Sequence, residues 1–361
     1  MEINTEAIQK QLKKSVFGQD ELIKSLAVIA WTHETNKERR ITGLEAISNR
    51  TLLIGSSGCG KTYAVKKLAE ILGTQFIEID CSTLQGNNYT GMKHAYDMFD
   101  TAIEQYGKDA VENGIIFLDE FDKSLDVYSF KRYGSRHVQR DLLKIFEGET
   151  VVSKNFGEID TRYMTIICAG SFYEGAEASD YYDNPKVTKM GFGQDKIIKQ
   201  DGHTKFNFTI DDLISMGHLP ELMGRFTRIV NMNLLDEKDI FNILKNGDSQ
   251  IKIYTQQLAD MGIKLEYDDS YYEYLAKNVL ISKTGFRDVA KLISDDIDDI
   301  IVHLGSDQSL FKVTVDCKNN AINIKFFNDN GKQIDKVVKP IIKKKNKIKP
   351  HHGFNPAFDM D

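Results

Sequence analysis

From about residue 50 onward, the chain alternates short β-rich apolar runs with segments of helical periodicity. The predicted strands cover residues 50–54, 75–79, 115–118, 164–169 and 228–232. Over residues 61–72 apolar side chains recur on one helical face, and Gly73 is suited to end that helix because glycine readily adopts left-handed backbone angles. Alternation of this kind is typical of a parallel sheet covered by helices.

The pattern changes after residue 233. Helices are predicted over residues 237–244 and 251–261, a short strand over 264–267, and further helices up to about residue 303. A strand at 311–315 and a hairpin beyond residue 319 follow. We therefore predict an α/β protein with a large domain over residues 1–233, a smaller and mainly helical domain over 234–318, and a C-terminal extension over 319–361 that carries a basic tail.

Composition and charge narrow the classes of function. A chain of 361 residues with 41% hydrophobic residues and five prolines should fold into two or three domains. The net charge of −6 combines an acidic body with a lysine-rich stretch at 336–349, so the body is not expected to bind nucleic acid in general. The four cysteines lack the paired spacing of a zinc site or a disulfide framework, which favours a reducing compartment. They are Cys59, Cys81, Cys168 and Cys317.

The N-terminal segment is polar and lacks the apolar core of a signal peptide. No later run approaches the roughly 18 consecutive apolar residues that a membrane-spanning helix needs. We therefore expect a cytoplasmic protein without a membrane partner.

A glycine-rich run between the first predicted strand and helix fits the phosphate-binding pattern G-x-x-x-x-G-K-[ST]. The run is Gly55-Ser56-Ser57-Gly58-Cys59-Gly60-Lys61-Thr62. Glycines allow backbone N–H groups to surround a phosphate, and the helix N-terminus adds its dipole. Lys61 is expected to reach the β- and γ-phosphates of ATP, and the Thr62 hydroxyl to bind Mg²⁺.

Two adjacent carboxylates, Asp119 and Glu120, follow the apolar strand at 115–118. Hydrolysis of ATP needs both groups. Asp119 is expected to hold the hydrated Mg²⁺, and Glu120 to act as the general base that polarises the attacking water. The two motifs together predict a P-loop ATPase.

Five further segments occur in the order found in ClpX, the ATP-binding unfoldase subunit of the Clp protease. They cover residues 16–19, 118–123, 138–148, 219–225 and 283–287. The chain therefore resembles AAA+ ATPases of the ClpX type over roughly residues 10–316. The resemblance implies a large AAA+ domain with a parallel sheet, followed by a smaller helical lid domain. The zinc-binding domain that precedes the ATPase core in the family has no counterpart before Val16, so we expect it to be lacking.

The resemblance also implies roles for individual residues. Val16 and Phe17 lie in the segment that packs on adenine, and Arg287 in the sensor-2 motif that touches nucleotide in its own subunit. Arg225 lies in the segment of the arginine finger, which completes a neighbouring active site and contributes about 10³- to 10⁵-fold to hydrolysis. Arg228 lies close enough to Arg225 in the sequence to be mistaken for the arginine finger. For either arginine, a structural ion pair is the alternative. The sensor-1 residue is left unassigned, with Ser171 only a candidate.

Two loops point to protein ligands. Tyr89 stands where the family carries the aromatic pore-loop residue that grips polypeptide, although a surface or buried tyrosine is the alternative. Met190, Gly191 and Phe192 resemble the family's aliphatic-glycine-phenylalanine loop, which inserts into pockets of the peptidase. Exposed apolar residues at a loop tip suggest a partner that covers them. The alternative is a loop that folds back on its own domain.

These features predict an ATP-dependent unfoldase and translocase that forms a homo-oligomeric ring, expected to be a hexamer, and feeds protein substrates to a ClpP-type serine peptidase. The chain itself shows no protease triad. One alternative is a stand-alone remodelling chaperone without a peptidase. A nucleic-acid motor or loader is supported by the basic tail alone, and a scaffold without turnover is disfavoured because Glu120 and Arg225 are both present.

Overall fold

The computed structural model describes residues 4–84, 95–124, 132–172, 197–200, 203–281, 285–304, 310–319 and 321–341. Its larger part is built on five parallel strands. These are β1 (Arg50–Ile54), β2 (Phe76–Asp80), β3 (Ile115–Asp119), β6 (Thr165–Gly170) and β9 (Arg228–Asn231). Their order across the sheet is β2-β3-β6-β1-β9. The five predicted strands are confirmed, and no strand end differs from its predicted position by more than one residue.

Helices cover both faces of this sheet. They are α1 (Thr5–Leu12), α2 (Asp20–Thr42), α3 (Lys61–Leu72), α4 (Asp100–Tyr106), α5 (Lys108–Glu112), α6 (Phe121–Ser124), α7 (Arg132–Glu147), α8 (Ile210–Ser215) and α9 (Pro220–Met223). Two antiparallel hairpins, β4 (Thr150–Ser153) with β5 (Gly157–Asp160) and β7 (Ile197–Gln200) with β8 (His203–Phe206), complete this part. Because both faces are covered, β1 and β6 are buried along their whole length, and both are mainly apolar with polar residues confined to their first positions.

The two faces carry separate apolar cores. On one face, Leu26 of α2 and Leu68 of α3 pack with Leu53 of β1. On the other, Leu142 of α7 and Phe121 of α6 belong to the core that contains Leu118 of β3. The strands therefore pack against apolar side chains on both faces of the sheet. This burial makes the ends of the strands rigid supports for the loops that follow them.

The smaller part combines helices with its own sheet. Its elements are α10 (Glu237–Asn246), α11 (Gln250–Asp260), β10 (Lys264–Tyr267), α12 (Asp269–Ile281), α13 (Val289–Leu304), β11 (Leu310–Lys318), β12 (Ala321–Asn328) and β13 (Gln333–Pro340). The strand order is β10-β11-β12-β13. Tyr271, Ile293 and Phe326 lie in a third core that joins the helices to this sheet. The predicted α/β class with a smaller, mainly helical second domain is confirmed.

Strand β13 is joined to α13 by charged side chains. The Lys339 ammonium lies 3.1 Å from an Asp296 carboxylate oxygen and 2.6 Å from one of Asp299. His303 Nε2 lies 2.9 Å from Asp335 Oδ2. The sheet thus continues past residue 318, while the predicted division at 233 and 318 stays a prediction. Among the described residues, no helix has the length and apolar character needed to cross a bilayer.

Candidate active site

A cavity of about 510 Å³ lies between the larger and smaller parts of the molecule. This volume falls within the range of about 300–1,000 Å³ that is usual for small-molecule sites. Its walls come from the predicted phosphate-binding loop, from the ends of β3 and β6, and from the start of the smaller part. Of the predicted site residues, it brings together Val16, Phe17, Ser57, Gly58, Cys59, Gly60, Lys61, Thr62, Asp119 and Glu120.

The loop between β1 and α3 has the backbone that phosphate binding requires. Gly58 and Gly60 have φ angles of 76° and 93°, in the left-handed region that favours glycine. At Gly55 an added Cβ would lie 2.6 Å from Met232 Cβ. No side chain among the described residues caps the N-terminus of α3. The first-turn N–H groups of α3 are thus available to an anion, and the helix dipole favours negative charge there.

Lys61, Thr62 and Asp119 converge at the end of this loop. The Lys61 ammonium donates hydrogen bonds to the carbonyl oxygens of Gly55 (2.7 Å) and Ser56 (2.9 Å). The Thr62 hydroxyl lies 3.4 Å from Asp119 Oδ2. A hydroxyl and a carboxylate side by side are oxygen donors suited to Mg²⁺, which is commonly bound by one or two protein groups together with substrate phosphates. The residues present therefore fit a nucleotide with its metal ion.

Glu120 has an unusual backbone conformation for a residue with a side chain. Its φ angle is 51°, in the left-handed region, and its side chain is exposed. The Glu120 N–H donates to Asp119 Oδ1 (2.9 Å), and its carbonyl accepts from Lys123 N–H (2.8 Å). Strained backbone of this kind is concentrated at functional sites. Glu120 is one of the residues that line the cavity.

Asp122 connects this acidic turn to the end of β6. Its Oδ2 accepts hydrogen bonds from the Ser171 hydroxyl (3.0 Å) and the Phe172 N–H (3.3 Å). A Cβ at Gly170 would lie 2.6 Å from Asp122 Oδ1, so only glycine allows the approach. Ser171, a candidate from the sequence for the sensor-1 residue, lines the cavity together with Glu120. Sequence reasoning did not single out Asp122, although it stands three residues after Asp119 in a run that was recognised.

His218 extends this connection toward the segment that contains Arg225. Its ring meets that of Phe172 edge-on at 5.6 Å between centroids. Burial lowers the pKa of His218 to about 4, so the imidazole is neutral at pH 7. Because Phe172 follows Ser171 directly and His218 precedes the 219–225 segment, the end of β6 and that segment share one packed contact.

Arg225 lies apart from the cavity wall. Its guanidinium, half exposed, forms an ion pair with the Glu147 carboxylate at the end of α7. Arg228, at the start of β9, has its pKa lowered by burial. Arg225 is thus not among the residues that line the cavity of its own chain. The ion pair with Glu147 is the structural alternative considered for this arginine, and its action on a neighbouring subunit stays a prediction.

The opposite end of the cavity is apolar. Val16 is buried and Phe17 lies beside it, and the smaller part contributes Leu235, Ile243 and Phe286. Such a surface suits the flat, apolar faces of a nucleotide base. The backbone of Arg287 follows Phe286 within a short 3₁₀ turn, Gly285–Asp288, whereas its side chain lies outside the described set. Tyr89, Met190, Gly191 and Phe192 also lie outside the described residues.

The phosphate-binding loop, the Asp119–Glu120 pair at a strand end and a cavity closed by a second domain together define a P-loop ATPase. A model of the AAA domain (Cdc48 subfamily) matches residues 48–229, and a model of the C-terminal, D2-small domain of ClpB protein matches residues 235–314. The chain belongs to the AAA domain family, whose members bind nucleotide.

The chain is also similar to curated proteins that bear the name ATP-dependent Clp protease ATP-binding subunit ClpX. The protein from Bacteroides thetaiotaomicron is 28% identical over 331 residues, covering 86% of this chain and 79% of the relative. The Azotobacter vinelandii protein is 29% identical over 335 residues, with 85% and 76% coverage. The Borrelia duttonii protein is 26% identical over 337 residues, with 88% and 78% coverage. The resemblance predicted from the five sequence segments is confirmed.

Proposed function

We propose that this protein is an ATP-dependent unfoldase and translocase that assembles into a homo-hexameric ring and passes unfolded polypeptide to a ClpP-type peptidase. The observation that carries the proposal is the arrangement of Lys61, the Thr62–Asp119 pair and the exposed Glu120 around a cavity closed by two domains. The name that the ClpX relatives bear, ATP-dependent Clp protease ATP-binding subunit, supports both the ATP dependence and the link to proteolysis.

Bound ATP supplies the phosphoryl group that is transferred to water, and Mg²⁺ supplies positive charge beside it. Lys61 neutralises charge on the phosphate oxygens, as the phosphate-loop lysine does in P-loop ATPases. Thr62 and Asp119 would hold the metal ion, whose positive charge would stabilise the phosphates. Glu120 accepts the proton of the attacking water, and its exposed position at the turn after β3 leaves its carboxylate free to reach that water.

The ring is proposed from the position of Arg225 outside its own cavity. An arginine delivered by a neighbouring subunit allows hydrolysis only in the assembled ring, because its charge stabilises the transition state. Arg287 would touch nucleotide in its own subunit. Tyr89 would grip the polypeptide in the central pore, and Met190, Gly191 and Phe192 would dock on the peptidase.

The proposal is tested with the wild-type protein, the Glu120→Gln variant and the Phe192→Ala variant, each mixed with a purified ClpP-type peptidase and fluorescein-labelled casein. Wild type should hydrolyse ATP and support ATP-dependent degradation of casein. Glu120→Gln should bind ATP and the peptidase but hydrolyse ATP at least about 100-fold more slowly, since the general base is lost. Phe192→Ala should keep ATP hydrolysis and lose binding to the peptidase.

Normal turnover by Glu120→Gln would refute the assignment of the general base. Failure of both wild type and Glu120→Gln to bind the peptidase, with ATP hydrolysis intact, would refute the peptidase partner and leave a motor that acts without one.

A further inference from the structure

Several contacts among the described residues join the smaller part, and the segment that leads into it, to the nucleotide-binding part, and two of them are made by Gln19 and Asp248. The first is a buried connection at Gln19, whose side chain is 3% exposed. Gln19 Nε2 donates to the Asn233 carbonyl (2.9 Å), and its Oε1 accepts from the Asn233 N–H (2.9 Å). The Asn233 side chain in turn donates to the Gly18 carbonyl (2.7 Å). Three neutral, shielded hydrogen bonds at the point where the chain enters the smaller part make this a fixed pivot.

The second connection is ionic and lies at the cavity itself, whose wall includes Asp248 and Tyr63. Asp248, in the turn between α10 and α11, reaches helix α3, the helix whose first turn contains Lys61 and Thr62. Asp248 Oδ2 lies 2.8 Å from the Lys67 ammonium and 3.3 Å from the Tyr63 hydroxyl. The same ammonium lies 5.6 Å from the centre of the Tyr63 ring. One carboxylate of the smaller part therefore engages two side chains on successive turns of α3.

The two connections differ in strength. The side chains of Lys67 and Asp248 are 21% and 50% exposed, so water and salt screen their attraction. The mutual contact raises the pKa of the Lys67 ammonium and lowers the pKa of the Asp248 carboxyl, so both groups are charged at pH 7. Exposed pairs of this kind are weak enough to open during function. Loss of the Asp248 contact would thus loosen the smaller part without breaking the hydrogen bonds of the pivot.

We propose that Asp248 is a positioning residue for nucleotide binding. Through Lys67 and Tyr63 it holds the smaller part against α3, so that the apolar end of the cavity stays closed on the base. The inference rests on the proposed function only in that the cavity must bind ATP. It adds a residue that neither the sequence motifs nor the fold alone assign.

The expected effect on nucleotide binding depends on which part of the molecule contributes each wall of the cavity. The phosphate-binding loop and Glu120 lie wholly in the larger part, so they keep their geometry when the Asp248 contact is lost. Leu235, Ile243 and Phe286 lie on the smaller part and would separate from Val16 and Phe17. Binding of the base weakens equally in the ground state and the transition state. Such a loss raises KM and leaves kcat unchanged.

The test compares four single variants and the double variant Asp248→Asn with Lys67→Met against wild type, all in the 361-residue chain. Asp248→Asn and Lys67→Met each remove one charge of the pair, and Asp248→Glu preserves it. Glu70→Gln is the matched control, because Glu70 also contacts the Lys67 ammonium (2.7 Å) but lies on α3 itself. The readouts are the dissociation constant of a fluorescent ADP analogue, KM and kcat for ATP, and the midpoint of thermal unfolding without nucleotide.

Asp248→Asn and Lys67→Met should each raise the dissociation constant and KM about two- to fivefold, as expected for a partly exposed ion pair, with kcat within about twofold. The double variant should bind no more weakly than either single variant, because both remove the same interaction. Asp248→Glu and Glu70→Gln should bind like wild type. The unfolding midpoint should stay the same in all of them.

Lys67 contacts Asp248 but does not itself line the cavity. The Lys67→Met variant therefore distinguishes loss of the positioning contact from loss of a direct contact between Asp248 and the nucleotide. Weaker binding in Asp248→Asn with unchanged binding in Lys67→Met would overturn the inference, since Asp248 would then touch the nucleotide directly. Equal affinities of wild type and Asp248→Asn would overturn it as well, with the proposed function intact. A wild-type protein that binds no nucleotide would overturn the proposed function and this inference together.

Discussion

Because the backbone at Glu120 is left-handed, we predict that Glu120→Gly abolishes hydrolysis and yet gives a more stable protein than Glu120→Ala. The perturbation is Glu120→Gly, compared with Glu120→Ala and Glu120→Gln. All three remove the carboxylate that would accept the proton of water, so all three should lose hydrolysis. They differ in how well each residue tolerates a φ angle of 51°. Because the Glu120 side chain is exposed, its loss removes little packing.

The magnitude follows from two opposing effects. A residue with a Cβ loses about 1–2 kcal/mol in the left-handed region, and glycine avoids that loss. Glycine costs about 0.5–1 kcal/mol through the greater freedom of the unfolded chain. The variant with glycine should therefore be about 0.5–1 kcal/mol more stable than the alanine variant. For a domain of this size, that corresponds to a rise of about 1–4 °C in the midpoint of thermal unfolding.

The assay is thermal and urea-induced unfolding without nucleotide, together with ATP hydrolysis. Glu104 supplies the control, because it is an exposed glutamate inside helix α4 with ordinary helical backbone. There the order should reverse, with Glu104→Ala more stable than Glu104→Gly. A Glu120→Gly variant no more stable than Glu120→Ala would refute the strained conformation at this residue. Retained hydrolysis in any of the three would refute the role of the carboxylate.

Two further predictions concern buried polar groups. Gln19→Ala should lower the free energy of unfolding by about 2–5 kcal/mol, because it leaves the N–H and carbonyl of Asn233 without partners. The control Gln11→Ala, on the exposed face of α1, should change the free energy of unfolding little. Equal urea midpoints for the two variants would contradict the role of the Gln19 hydrogen bonds. Burial lowers the pKa of His33 from 6.5 to about 3, so below pH 6.5 the unfolded chain takes up a proton that the folded chain does not. Stability should therefore fall by about 1.4 kcal/mol per pH unit between pH 6 and 4 from this group, and urea titrations of His33→Gln should show a slope shallower by that amount.

Much of the fold could be predicted from local sequence. The strands β1 and β6 are buried on both faces, and such strands are mainly apolar, so the apolar runs 52–54 and 166–169 reveal them. The start of α3 could be placed because Gly60 and Lys61 belong to a motif whose backbone and chemistry depend on neighbouring residues only. Asp119 and Glu120 were found for the same reason, since a strand that ends in acids is visible in the chain itself.

The closing contacts of the site could not be predicted in this way. Asp122 meets Ser171, and Asp248 meets Lys67, across long stretches of chain whose alignment depends on the packing of whole elements. A lone aspartate in a turn carries no local signal of its partner. The strained φ of Glu120 was equally invisible, because glutamate gives no indication of left-handed backbone as glycine does.

By itself, the sequence determined the parallel α/β core, the phosphate-binding loop, the acidic pair and the membership of the AAA family. Each of these depends on periodicity or on residues that stand next to one another. Only the tertiary structure decided that the cavity lies between two parts, that Arg225 forms an ion pair with Glu147 outside the cavity lining, and that Gln19 meets Asn233 and Asp248 meets Lys67. The physical reason is that burial periodicity is a property of single elements, whereas hydrogen bonds and ion pairs between distant elements require all the intervening packing to be in place.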